Sequence, residues 1–184
     1  MVGRNANQIP EYPMLYELEE EEMDTYAVEL NSFVDIVLTQ AYELGQGRNM
    51  ILSSFNPDIC LLLAFKQPSI PVLFLTDSGS SPIGDIRASS LQEAIRFASR
   101  WNLLGVVTQA ECLVLCPRLI RVVKESGLVC VSYGTSNNDP YKVKVSYQVP
   151  LYQPCNANII LCSSKPRKVL MRLLRILSLL FGKA

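Results

Sequence analysis

The chain contains no histidine in 184 residues. That removes the side chain most often used for general acid–base work near neutral pH, and the commonest metal ligand with it. Its six cysteines include no Cys-x-x-Cys pair. Cys112 and Cys116 are spaced to share one face of a helix, yet no second ligand pair accompanies them, so zinc is not expected and core packing is. Excess charge is missing as well: 17 basic residues balance 17 acidic ones, leaving no overall field for nucleic acid. The first ten residues (MVGRNANQIP) have no apolar core and read as neither a secretory signal nor a transit peptide. With its thiols inside apolar segments, the expected setting is the reducing cytoplasm.

Two local charge runs stand out against the neutral total. Residues 17–24 (ELEEEEMD) are acidic, and residues 165–183 carry six basic residues and no acidic one. The acidic run lacks the turn that would fold carboxylates around calcium, so it reads as negative charge near a helix start. The basic tail is too short in apolar length, and too interrupted by arginine, to span a bilayer. It would suit an anionic membrane surface, packing against further parts of a domain, or a stretch never selected to fold.

Mass and composition fit one domain: 20.6 kDa, 49% hydrophobic and 18% charged. Residues 23–44 place apolar side chains at steps of three and four, as an amphipathic helix does, and Gly45 and Gly47 supply its stop. Four apolar segments then alternate with helix-like ones: MILSSF (50–55), PVLFLTD (71–77), LLGVVTQ (103–109) and LVCVSYG (128–134). This is the pattern of βα units around a parallel sheet. Asn56-Pro57-Asp58 opens one helix, Ser89 or Ser90 with Glu93 caps another over 91–101, and Pro117 starts a third that ends at Gly127. The loop SGSSP (78–82) has the glycine and serine of an anion cradle but not the lysine and spacing of a P-loop, so a plain loop is the simpler reading. After Tyr141 the pattern decays. Residues 141–149 alternate like a strand, Pro150 and Pro154 interrupt the chain, and residues 156–164 suit one more short strand.

Residues 23–77, 85–107 and 115–140 closely resemble the glycerophosphodiester phosphodiesterase domain, of the fungal glycerophosphocholine phosphodiesterase type. The resemblance runs over long stretches from about Tyr12 to Pro140. It implies an α/β fold, a partial TIM-type (β/α)₈ barrel of about strands 4–7 with a degraded last strand, whose site lies at the carboxyl ends of the strands. The implied domain covers residues 23–164, between an irregular acidic lead-in (1–22) and the basic apolar tail (165–184).

Members of that family use a divalent cation, calcium or magnesium, with histidine acid–base chemistry to split glycerophosphodiesters into glycerol 3-phosphate and an alcohol such as choline. The family's His-Arg-Gly motif, Glu-x-Asp metal pair and second histidine have no counterpart in this sequence. Before Tyr12-Pro13-Met14, where the family has Glu-Ile-Lys, this chain has Ile9-Pro10-Glu11. Ser54 and Phe55 match a pocket-lining Ser-Phe pair, and Tyr133 and Asn137 fall near the family's Trp-Thr-Val-Asn stretch. The resemblance therefore implies substrate-binding positions at Ser54, Phe55, Tyr133 and Asn137, with no catalytic residue and no metal bound by this chain alone. The expectation is a truncated, inactive phosphodiesterase fragment. The alternative is a non-enzymatic binding or regulatory module, partnered by a complementary barrel half, a second copy or an anionic membrane.

Overall fold

A computed structural model describes residues 6–8, 10–13, 28–45, 50–139, 141, 152–156 and 159–162. Five parallel strands lie side by side in chain order: β1 (Ala6–Gln8), β2 (Met50–Ser54), β3 (Val72–Thr76), β4 (Gly105–Gln109) and β5 (Val129–Tyr133). A hairpin of β6 (Tyr152–Asn156) and β7 (Ile159–Cys162) extends the sheet, with β7 antiparallel to β5 and β6 outermost. The helices α1 (Leu30–Gly45), α2 (Pro57–Lys66), α3 (Leu91–Arg100), α4 (Ala110–Leu115) and α5 (Arg118–Glu125) lie between the parallel strands in sequence. The four expected strands and the α/β class are present, consistent with a partial TIM-type barrel.

The strands read as continuous apolar runs because both faces of the sheet are buried. Leu52, Val72, Phe74, Val106 and Cys130 alternate onto the face packed by the helices, where they join Val34, Leu38, Leu63, Ile95, Ile120 and Val123 in one core. Phe74 and Phe97 meet edge to face there, with centroids 4.9 Å apart. On the opposite face Ile51, Leu73, Leu75, Val107, Val129 and Val131 are buried too, as the interior layers of a curling sheet would be.

Local chemistry sets the helix ends. Asn56 caps α2 by accepting from the Asp58 and Ile59 amides at 2.9 and 3.3 Å, and Pro57 takes the first helical position. Ser90, the second of the two candidate caps, accepts from the Glu93 amide at 3.2 Å to start α3. Gly127, at φ +74°, follows α5 where a left-handed residue is needed. The buried Gln67 folds the turn into β3: its amide group donates to Ile70 O at 2.7 Å and accepts from Ile70 N at 2.6 Å.

Three elements differ from the sequence reading. Ala6–Gln8, within the irregular lead-in, forms β1 by pairing Ala6 with Met50 and Gln8 with Leu52. Helix α4 was not anticipated, because Gln109 precedes it without a side-chain cap. Pro154, read as an interruption, lies in β6, an edge strand where a proline is tolerated. The expected last strand is present as β7, although it runs against its neighbour. The acidic run 17–24, residues 142–149 and the tail 165–184 lie outside the described residues. Among the described residues no helix is long and apolar enough to cross a membrane.

Candidate functional site

The carboxyl ends of β1 to β5 form one rim, and four of the five carry the polar and aromatic groups of interest. At the end of β2, Ser54 is buried, and its hydroxyl donates to Pro10 O at 3.0 Å and accepts from the Asn56 amide at 3.2 Å. This ties the segment after β1 to the end of β2. Asn56 Nδ2 reaches Tyr12 O at 3.5 Å, and the Tyr12 ring packs on Phe33 at 5.1 Å. At the end of β5, Asn137 is buried in a short 3₁₀ turn (Thr135–Asn138). Its amide accepts from Ser132 Oγ at 3.2 Å and donates to Ser132 O at 3.1 Å. Ser54 and Asn137 therefore brace the backbone beneath the rim.

Phe55 and Tyr133 are less enclosed and meet each other. Phe55 is 40% exposed and Tyr133 is half-buried. Their rings stand at 88° with centroids 6.5 Å apart. The strands that carry them are three positions apart in the sheet, about 14 Å at ordinary strand spacing. Side chains from the same face of a flat sheet stand parallel and keep that separation. Their approach requires the sheet to curl so that its inner side chains converge, as in a barrel.

Between these rings lie the ends of β3 and β4. Asp77 organises the β3 turn: its carboxylate accepts from the Gly79 and Ser81 amides, each at 3.2 Å, and its carbonyl accepts from the Ser80 amide. The Ser78 amide donates to Thr76 Oγ1 at 3.0 Å. All four amides of residues 78–81 are thus directed to the chain's own oxygens, which agrees with the plain-loop reading and not with an anion cradle. Ser78 adopts φ +60° and its hydroxyl is hydrogen-bonded to that of Thr108, which also lies 3.2 Å from Cys112 Sγ. Ser80 Oγ lies 2.9 Å from Gln109 Oε1, and Gln109 in turn hydrogen-bonds Tyr133. Glu111, the exposed second residue of α4, brings a carboxylate oxygen to 3.3 Å from where a β-carbon on Gly134 would stand.

These groups act on the Tyr133 phenol. Burial raises its pKa, the Gln109 hydrogen bond lowers it, and the negative charges of Asp77 and Glu111 raise it further; the net effect is upward. Arg87 brings a cation to the same end of the sheet, but it is clamped. Its guanidinium contacts Asp58 at 2.5 and 3.1 Å and Asp85 at 2.6, 2.9 and 3.1 Å. The Asp77 and Glu111 carboxylates had no motif to announce them, although an Asp two residues before a glycine is a turn signal in its own right.

The divalent cation implied by the family resemblance does not fit these donors. Among the described residues no group of three or more His, Cys, Asp or Glu converges, and both Asp77 carboxylate oxygens already accept backbone amides. Glu11 is exposed after β1, and Ile9 lies outside the described residues.

Residues 1–151 match the glycerophosphoryl diester phosphodiesterase family. The chain is 56% identical over 134 residues to glycerophosphocholine phosphodiesterase GDE1 of Eremothecium gossypii, covering 73% of this chain and 10% of that protein. It is 49% identical over 133 residues to gde1 of Schizosaccharomyces pombe, covering 72% and 12%. Against Homo sapiens glycerophosphocholine phosphodiesterase GPCPD1 it is 36% identical over 121 residues, covering 64% and 18%. The chain thus spans about a tenth of the length of the fungal relatives it matches. No solved structure matches the chain. A curled parallel sheet with its polar and aromatic groups gathered at the carboxyl rim, and a family match over most of the length, lead to one assignment: the chain belongs to the glycerophosphoryl diester phosphodiesterase family.

Proposed function

We propose that the chain forms one wall of a pocket for a glycerophosphocholine-like diester, and that by itself it holds such a diester without hydrolysing it. The Phe55–Tyr133 approach at 6.5 Å carries the reading, since it brings two perpendicular aromatic rings together at the strand-end rim where barrel enzymes bind their substrates. The names of the fungal and human relatives supply the substrate class. Phe55 and Tyr133 contact the ligand, and Ser54 and Asn137 hold their backbones in place.

Hydrolysis of a phosphodiester needs charge neutralised on phosphate and a proton delivered to the leaving oxygen. The sequence has no histidine for the second task. For the first, the described rim offers carboxylates, amides already bonded, and an arginine held by two aspartates. The buried thiols of Cys60 and Cys130 support a reducing, cytoplasmic setting.

The test is choline release from glycerophosphocholine by the pure chain with magnesium or calcium, alongside ligand-observed NMR of the same diester. Binding without release is expected. Metal-dependent release above the blank refutes the claim of no hydrolysis, and absence of binding at millimolar diester refutes the pocket.

A further inference from the structure

We infer that the Phe55–Tyr133 corner is a quaternary-ammonium subsite, which takes the trimethylammonium end of a choline-type alcohol while the phosphate lies elsewhere along the rim. This deepens the proposed binding role and rests on it for the diester, although not for the cation.

Three observations converge. First, the rings are perpendicular and 6.5 Å apart, with Phe55 open to solvent, so they form a corner of two walls. A cation within about 6 Å of a ring centroid is attracted by the negative face of the π system, and a quaternary ammonium has no N–H to leave unsatisfied against such a wall. Second, among the described residues the charges that act on Tyr133 are negative. The Asp77 and Glu111 carboxylates both act on Tyr133, and Glu111 lies against Gly134, the next residue. Third, the neighbouring groups disfavour an anion at this place. The amides of residues 78–81 are directed to Asp77 and Thr76, and Arg87 is committed to Asp58 and Asp85. A phosphate there would meet two carboxylates and no available donor from that loop. A quaternary ammonium meets ring faces and a negative potential.

The experiment is ligand-observed NMR on the full chain with tetramethylammonium, glycerophosphocholine and glycerophosphoinositol, repeated with Phe55→Leu and Glu111→Gln. The expected result is saturable tetramethylammonium binding. Phe55→Leu, which keeps apolar bulk and removes the π face, weakens it about fivefold. Glu111→Gln, at an exposed position, weakens it about threefold, and added salt diminishes that difference. Glycerophosphocholine is expected to outbind glycerophosphoinositol. Equal binding of the two diesters, insensitive to both substitutions, overturns the cation corner and leaves the diester pocket standing. Tetramethylammonium binding with no gain from the diester overturns the pocket and leaves the corner standing. No binding of any probe by the folded chain overturns both.

Discussion

Replacing Arg87 by methionine keeps most of the side-chain bulk and removes the clamp between the β3–α3 loop and the start of α2. The wild-type guanidinium makes five contacts of 3.1 Å or less, to Asp58 and Asp85, and its carbon lies 5.9 Å from the Phe97 ring centroid. The side chain of Asp58 is 48% exposed, so that pair is worth at most about 1 kcal/mol. The Asp85 side chain is 16% exposed and its bonds are charge-assisted, which places them near the lower end of about 1.5–3 kcal/mol, given an arginine that is itself 32% exposed. Adding about 0.5 kcal/mol for the ring contact gives a loss of about 2–3 kcal/mol. For a chain of this length that is a fall in Tm of about 5–10 °C.

The pH dependence follows from Asp85. Burial raises its carboxyl pKa, but the Arg87 side-chain and backbone hydrogen bonds outweigh burial and hold it below the ordinary value. A lowered carboxyl stabilises the fold above the unfolded pKa, about 3.9, and loses that contribution as pH falls through the folded value. The Tm gap between wild type and Arg87→Met should therefore stay constant from pH 8 to about 5 and narrow below about 4. Thermal unfolding followed by circular dichroism reads both effects. A fall of less than about 2 °C at pH 7, or a gap undiminished at pH 3, refutes the account of the clamp.

Two further outcomes follow from close approach and burial. A β-carbon at Gly105 would stand 2.0 Å from the Val129 carbonyl oxygen, so Gly105→Ala must push β4 and β5 apart; a loss of about 3 kcal/mol or more is expected in urea unfolding, and unchanged stability would show that the strands do not pack this closely. Burial pushes the Cys60 thiol up to about 12, against weaker lowering by the Ser54 backbone, so it stays protonated at pH 8. Iodoacetamide mapped by mass spectrometry should label exposed Cys116 rapidly and spare Cys60 and Cys130 in the native chain, and early labelling of Cys60 would contradict its place in the core.

The strands β2 to β5 were legible because a parallel strand buried on both faces has to be written as a contiguous apolar run. The caps at Asn56 and Ser90 were legible because a capping side chain acts on amides two or three residues away. Ala6–Gln8 carries no such pattern; it becomes a strand through partners more than forty positions on, and pairing of that range leaves no local trace. Helix α4 begins without a cap, so the sequence offered only Pro117 as a start. At the candidate site, Ser54, Phe55, Tyr133 and Asn137 were expected from family resemblance. Their division of labour was not, because whether a hydroxyl or an amide faces inward depends on Pro10 and Ser132 being at hand.

The β6–β7 hairpin is a double reversal of direction. Strand β7 runs against β5, and β6 runs against β7, so β6 regains the sense of β1 to β5. Width is added without inverting the polarity of the outer strand. Register places Ile159 beside Tyr133 and Asn156 beside Ile159, which returns the carboxyl end of β6 to the rim that bears the two rings. Both outer strands of the described sheet therefore point the same way, and any strand joining either one in parallel would deliver its own carboxyl end to that rim.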